Sequence, residues 1–252
     1  MAIFITGDAH GDFKRFENTI FYEQVGLTKR NCLIIAGDFG GIWDGSAEEQ
    51  RQLDWLEQRP YTTLFVSGNH ENYDLLAEYP VEEWHGGQVQ RIRPSVIHLM
   101  RGQVYDIQGK KFFTMGGASS HDIQDQDGIL EPGDPEFEEK QEQLEASRAL
   151  YRVNHVSWWK EELPSEAEYQ TARANLEKHG WKVDYIITHC CSTSVQDELS
   201  GGFYQADALT DFLDEVTQRC QFQYHFFGHY HTNTVIRKKY VLLYEQIIRL
   251  KP

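Results

Sequence analysis

Three short runs in the first part of the chain, Ala2–Thr6, Cys32–Ala36 and Thr63–Val66, are almost wholly apolar and rich in β-branched or aromatic residues. Short apolar runs of this composition predict strands. Each run ends in polar punctuation: Gly7-Asp8-Ala9-His10-Gly11, Gly37-Asp38-Phe39-Gly40-Gly41 and Ser67-Gly68-Asn69-His70-Glu71. Between the runs, periodicity predicts helices over Phe13–Val25 and Ala47–Gln58. In the second of these Leu53 and Leu56 share a face, with Glu48, Glu49 and Arg51 elsewhere. Strand–helix units of roughly 30 residues imply a largely parallel sheet.

The pattern then changes. Val96–Leu99, Val104–Ile107 and Lys111–Met115 are short strand-like runs separated by glycine-containing turns, as in a meander or hairpins. An acidic segment follows from Ser119 to about Glu145, carrying Asp122, Asp125, Asp127, Glu131, Asp134, Glu136, Glu138 and Glu139, a composition expected to face water. Pro135 to Leu163 reads as helical, and so does Glu166–Lys178, where Ser165 and Glu168 have the spacing of a capping box. Strands at Val183–Thr188 and Phe222–Phe227 bracket a helix over Asp207–Arg219. Thr234–Ile236 and Val241–Tyr244 form a closing hairpin around Lys238-Lys239. The expectation is an α/β fold in a single domain, 1–252, with an acidic helical insertion at about 119–180.

Composition narrows the function. The 252 residues include 39 Asp+Glu against 24 Lys+Arg, a net charge of −15, with 40% hydrophobic and 13% aromatic content. Such apolar content excludes an intrinsically disordered chain, and no apolar run reaches the length of a membrane span. The negative charge argues against long nucleic acid as a partner, because few cationic side chains are present to neutralise its phosphates. Cys32, Cys190, Cys191 and Cys220 show no CxxC spacing and no disulfide framework. With no basic leader before the first apolar run, these thiols suit a reduced, cytoplasmic protein.

Loops after parallel strands form the ligand crevice of α/β proteins, and here those loops carry Asp8, His10, Asp38, Asn69, His70, His189, His229 and His231. One histidine in a loop is ordinarily a core or surface residue. Five of them, each just after an apolar run, make a pattern. Asp8-x-His10 and His229-x-His231 each place two donors on a short turn, and imidazole with carboxylate suits Mn, Fe or Zn better than Ca. His85, His98, His121, His155, His179 and His225 lack that context, and His225 lies within a strand.

In order along the chain, Asp8-Ala9-His10-Gly11, Gly37-Asp38, Gly68-Asn69-His70-Glu71, Thr188-His189 and Gly228-His229-Tyr230-His231 resemble the five signature blocks of the calcineurin-like metallophosphoesterase superfamily. The resemblance implies a four-layer αββα sandwich of two mixed β-sheets with a dinuclear metal centre at the strand ends. Carried over by position, Asp8, His10, Asp38 and His231 would hold one ion, and Asp38, Asn69, His189 and His229 the other. His70 matches the family's proton donor. Two divalent or trivalent ions (Mn, Fe or Zn) bridged by Asp38 would lower the pKa of a shared water toward neutrality, so that hydroxide attacks a phosphomonoester or phosphodiester. The expected substrate is a small phosphoester or phosphoprotein. A scaffold kept only for protein–protein contact would have shed ligands or the catalytic histidine, and all are retained.

The second block departs from the family pattern. Gly41 stands where many members carry a second aspartate that orients the catalytic histidine, and Ile42 stands in place of an arginine. Asp44 and Glu71 are the available substitutes for the lost carboxylate. Phosphate contacts must come from elsewhere: Asn69, His121, Arg148 and Arg152 are the candidates, the two arginines four apart on the expected insertion helix and so facing the same way. Arg91 and Arg93 are further possibilities, Trp158-Trp159 could line a pocket, and the insertion is placed to act as a substrate-selecting lid.

Overall fold

The computed structural model describes residues 1–123 and 128–250, so Asp125 and Asp127 of the acidic run lie outside the described residues. In chain order the strands are β1 (Ile3–Thr6), β2 (Cys32–Ala36), β3 (Thr62–Val66), β4 (Val81–Trp84), β5 (Gly87–Arg93), β6 (Val96–Leu99), β7 (Gln103–Ile107), β8 (Lys110–Met115), β9 (Ile129–Leu130), β10 (Arg152–Val153), β11 (Tyr185–Thr188), β12 (Tyr224–Phe227), β13 (Thr234–Ile236), β14 (Tyr240–Leu242) and β15 (Ile248–Arg249). The α-helices are α1 (Ala47–Glu57), α2 (Tyr73–Ala77), α3 (Phe137–Ser147), α4 (Glu166–Lys178), α5 (Thr193–Ser200) and α6 (Ala208–Arg219).

Two mixed sheets form the centre. The first runs β15-β1-β2-β3-β6-β5-β4 and the second β13-β14-β12-β11-β8-β7, with parallel strands inside and antiparallel strands at the margins. Period-2 alternation divides each central strand between two cores. Ile3, Ile5, Ile34, Ala36, Leu64 and Val66 point inward against Tyr105, Phe112, Tyr185, Ile187 and Phe226 of the other sheet. Phe4, Leu33, Ile35 and Phe65 point outward, beneath Phe13, Phe16 and the Leu53/Leu56 face of α1. On the far side, Phe113, Met115 and Ile186 meet α4 through Ala172 and Leu176, and α6 through Leu209, Leu213 and Val216. The result is the four-layer αββα arrangement, and the double burial explains why the central strands read as unbroken apolar runs. Among the described residues no helix is long and apolar enough to cross a membrane.

Several expectations need correction. Phe13–Val25 is not a helix but two single 3₁₀ turns, Lys14–Phe16 and Tyr22–Gln24. Its phenylalanines follow the sheet surface, and the buried Gln24 amide donates to the Phe16 and Phe21 carbonyls at 2.9 and 2.8 Å, replacing bonds a helix would make internally. The helix expected from Pro135 to Leu163 stops at Ser147, where Arg148 turns left-handed at φ 56°. No residue of α3 is buried, so nothing extends it. The chain instead pairs β10 with β9 and closes on a 3₁₀ turn at Lys160–Glu162. The central runs follow the hairpin alternative, divided between the sheets: β6 pairs with β5 in the first, while β7 and β8 form a hairpin in the second. By contrast α4 carries the Ser165/Glu168 capping box, and β13 and β14 form the closing hairpin.

Candidate metal centre

The turns after β1, β2 and β3 of one sheet and β11 and β12 of the other converge at a shared edge. Backbone bonds lock them together. Ala9 and His10 N–H donate to the Asp38 carbonyl at 3.0 and 2.7 Å, and Gly228 N–H to that of His189 at 2.9 Å. His70 N–H donates to Asp38 Oδ1 at 2.8 Å, and His229 N–H to both Asp8 oxygens at 3.0 and 3.1 Å. His10, Asp38, His229 and His231 all have positive φ, between 43° and 73°. Left-handed backbone at a non-glycine residue is uncommon and costs free energy, and such residues concentrate where function demands a side-chain direction.

Ligand atoms of Asp8, His10, Asp38 and His231 lie within 4.8 Å of one another. His231 Nε2 is 3.2 Å from Asp8 Oδ2 and 3.1 Å from His10 Nε2, whose distance to Asp38 Oδ2 is 3.7 Å. Both aspartates are buried, and among the described residues no lysine or arginine nitrogen comes within ion-pair distance of either carboxylate. The Arg15 guanidinium bonds to the Asp8 carbonyl instead. Two buried carboxylates held by backbone N–H groups and flanked by imidazoles fit a cation, since buried charge is costly unless it is paired.

The second set is looser. His189 Nε2 sits 3.2 Å from Asp38 Oδ2 and 3.1 Å from Asn69 Oδ1, while its Nδ1–H donates to the Ala36 carbonyl at 3.0 Å. That bond leaves Nε2 to face Asp38 and Asn69. Burial alone would lower His189, but Asp38 outweighs it and raises the imidazole to about 9. Against its own burial, the same contact holds Asp38 well below the usual carboxylate range. His229 packs against His189 with ring centroids 4.9 Å apart, yet its Nε2 meets His121 Nε2 at 3.2 Å. Burial, then His189, pushes His121 down to about 4.

His70 stands beside this cluster, edge-on to His10 at 5.2 Å. Burial lowers its pKa, with Asp38 opposing and Arg152 reinforcing. Neither expected substitute orients its ring. The Glu71 carboxylate accepts from Phe39, Gly40 and Gly68 N–H at 2.8, 3.3 and 3.3 Å, and Asp44 accepts from Ser46 N–H at 2.8 Å. A side chain at Gly41 has no room, because its Cβ would lie 2.5 Å from the Phe39 ring and 2.9 Å from that of Phe13.

The phosphate-binding candidates separate. Arg152 lies on β10, pairs with Asp122, and directs its charge toward Glu162, Asp38 and His70. Arg148 is the exposed cap of α3, so the two do not share a helix face. Arg91 and Arg93 form surface ion pairs with Glu82 and Asp54 at 2.5 and 2.7 Å. Trp159 is a core anchor, 1% exposed and bonded to Asp74, with its ring edge-on to Trp43. His225 is buried in β12 on Thr188 Oγ1 at 2.7 Å, as befits a packing residue. Sequence reading missed Glu162, whose buried carboxylate accepts from Ser120 N–H at 3.0 Å and Oγ–H at 2.6 Å, behind Asn69. Its only sequence signal is a pair of acids, Glu161 and Glu162, between Trp159 and Leu163. A groove of about 440 Å³ opens beside His10 and His70, lined by Trp43, Asp44, Ser46 and Glu48.

The chain is similar to several known proteins. A stretch of 139 residues is 28% identical to the lariat debranching enzyme of Drosophila melanogaster, covering 49% of this chain and 25% of that enzyme. A stretch of 138 residues is 26% identical to lariat debranching enzyme A of Xenopus laevis, covering 48% and 24%. The match thus spans about half of this chain and a quarter of the relatives' own length. Among solved structures, the phosphopantetheinyl hydrolase PptH of Mycobacterium tuberculosis aligns over 97% of this chain and 90% of that one, with a TM-score of 0.44 and 16% identity. The sequence model described as calcineurin-like phosphoesterase matches residues 1–233. With nearly the whole chain matched, the protein belongs to the calcineurin-like phosphoesterases, a family of metal-dependent phosphoester hydrolases.

Proposed function

We propose that this chain hydrolyses a small phosphoester at a two-metal centre, with Asp8, His10, Asp38 and His231 holding one ion and Asp38, Asn69, His189 and His229 the other. The observation that supports the reading is the convergence of two buried carboxylates, Asp8 and Asp38, with His10 and His231. When bound, such a metal pair supplies Lewis acidity and an activated water. Asp38 would be the ligand common to both ions, its carboxylate held by the His70 amide. His189 presents Nε2 because Ala36 takes its other proton. Arg152, whose charge is felt at Asp38 and His70, is assigned to pair with non-bridging phosphate oxygens, a role that suits its fork of donors. His70 lies at the mouth of the groove and donates a proton to the leaving oxygen.

The groove favours a short or uncharged leaving group. Asp44 and Glu48 stand along it, and a long polyanion would meet their field as well as the net charge of −15. The relatives' name, lariat debranching, keeps phosphodiesters among the substrates to test, here as small diesters. Purified protein should carry about two Mn, Fe or Zn ions per chain by elemental analysis and hydrolyse alkyl and aryl phosphate mono- or diesters. His70→Ala should retain both ions and lose on the order of 10²–10⁴ in turnover of an alkyl ester. Full turnover of that ester by the variant would remove the acid role, and a wild type without bound metal would remove the two-metal reading.

A further inference from the structure

The insertion reaches the candidate centre through a short arm, Arg152 to Trp159, that buries little of itself. None of the residues from Tyr151 to Trp158 is buried, and Val156 is 58% exposed. The arm's backbone bonds mostly to itself. The Val153 carbonyl accepts from the N–H groups of Val156, Ser157 and Trp158 at 3.1, 2.8 and 3.1 Å, and Val153 N–H donates to Ser157 Oγ at 2.9 Å. His155, left-handed at φ 54°, closes this turn. A segment with so few buried contacts is held only as firmly as its polar ties to the rest of the fold.

Two of those ties meet on one oxygen. Asp74 Oδ2 accepts from the Trp159 indole N–H at 2.7 Å and from His155 Nδ1–H at 2.8 Å. Asp74 lies in the first turn of α2, just after the loop that carries Asn69 and His70. Its neighbours are fixed there. Tyr73 Oη donates to the Gly68 carbonyl at 2.5 Å, and Asn72 caps the helix by accepting from Leu75 N–H at 3.0 Å. The Asn72 amide donates to the Trp43 carbonyl at 2.7 Å, and the Trp43 ring meets Trp159 edge-on while lining the groove. One carboxylate thus joins the His70 loop to the segment bearing Arg152, whose guanidinium pairs with Asp122 and whose charge is felt at Asp38 and His70. An ion pair as exposed as Asp74 and His155 adds little stability of its own. What the shared oxygen fixes is the direction of the arm.

We propose that Asp74 is a positioning residue for Arg152: by holding His155 and Trp159 on one oxygen, it docks the arm so that the guanidinium reaches the phosphoester. The inference rests on the phosphate role assigned to Arg152 above. Misplacing a group by about 1 Å can cost on the order of 100-fold in rate even when the substitution lies away from the reacting atoms.

The test is a double-mutant cycle on the metal-loaded enzyme, with para-nitrophenyl phosphate or its bis-ester as substrate and inorganic phosphate as competitive inhibitor. Arg152→Ala, Asp74→Ala and the double variant are compared, with folding followed by circular dichroism and bound metal counted. If Asp74→Ala does not fold, His155→Ala, changed at an exposed position, takes its place. Each single variant should lose about 10-fold or more in kcat/KM and bind phosphate correspondingly less tightly, at unchanged metal content. The double variant should fall no more than about threefold below the less active single one, because the two changes remove the same contact. Asp74→Asn should recover most of the loss, since its carbonyl oxygen still accepts from both N–H groups. Losses that multiply in the double variant, wild-type kinetics or lost metal in Asp74→Ala, or no recovery in Asp74→Asn would overturn the positioning role and leave the phosphoester reading standing. Wild-type kinetics in Arg152→Ala would overturn the phosphate role of Arg152 and this inference with it.

Discussion

Gly228→Ala isolates the metal site without removing any ligand. Gly228 ends β12, between the Asp8 carboxylate and the Ala36 carbonyl. A Cβ built there sits 1.9 Å from Asp8 Oδ1 and 2.9 Å from the Ala36 oxygen. Real Cβ contacts essentially never fall below 3.0 Å, so the buried Asp8 side chain must retreat by roughly an ångström. Metal–ligand bonds tolerate about 0.2 Å, and the shift also pulls Asp8 from His231 Nε2, now at 3.2 Å, and from the His229 amide. Misplacing one partner outside the coordination sphere typically costs 10–100-fold in metal affinity. Displacing an anionic ligand should reach at least the upper figure, about 2.8 kcal/mol at 1.4 kcal/mol per decade. Bound metal is counted by elemental analysis after dialysis against buffered Mn²⁺, alongside hydrolysis of bis-para-nitrophenyl phosphate. Gly133→Ala, with nothing within 4 Å of its Cβ, is the matched control. A Gly228→Ala protein that is folded and holds its metal as tightly as wild type would refute the assignment of Asp8.

Two further outcomes concern stability. The buried Arg101 guanidinium donates to Tyr73 Oη and the Glu161 carbonyl at 2.7 Å and to the Glu162 carbonyl at 3.1 Å, joining the insertion to the loop that carries Asn69. Charged hydrogen bonds are worth about 1.5–3 kcal/mol each, so Arg101→Met should lose about 3–5 kcal/mol in urea unfolding, and a loss under about 1 kcal/mol contradicts the argument. Burial pushes His98 and His225 down to about 3. Between pH 6.5 and 3 the unfolded chain therefore binds the extra protons, so these residues reduce stability as pH falls through that window and leave it unaffected above. Each should cost about 2 kcal/mol by pH 5, and His98→Phe should flatten the acid limb of a pH–stability curve. An unchanged slope would show that His98 is not buried neutral.

Where burial is complete on both faces the chain announces its own structure, as in Cys32–Ala36, and the turns after such strands could be read as donor sites. The amphipathic spacing of Phe13, Phe16 and Phe21 misleads because a sheet surface satisfies it as well as a helix does, once Gln24 caps the loose carbonyls. Arg152 reaches the site only because β10 pairs with β9, and the spacing from Arg148 implied a helix that ends one residue before it. Glu162 acts through a partner 42 residues away, Ser120, a separation no local pattern records.

The loss of the second aspartate acquires a physical reason and a consequence. Phe39 stacks on Phe65 at 4.1 Å, with Phe13 on its other side at 5.2 Å, and together they fill the space a carboxylate at position 41 would need. Glu71 takes over the stapling of the loops after β2 and β3, with all its bonds spent on backbone N–H groups. His70 is therefore positioned by Asp38 through its amide and by the His10 ring, and among the described residues no carboxylate bonds its imidazole. Its pKa is lowered by burial, and Arg152 deepens the effect against Asp38, so the charged form declines as pH rises through a value below 6.5. A good leaving group such as para-nitrophenolate departs without a proton, whereas an alkoxide needs one. His70→Ala should therefore cost an alkyl phosphoester at least tenfold more than its para-nitrophenyl counterpart, and it should abolish the fall in alkyl turnover at higher pH while leaving the aryl profile nearly unchanged. Equal losses on both esters, with the same pH profile, would mean that His70 orients substrate or metal rather than supplying a proton.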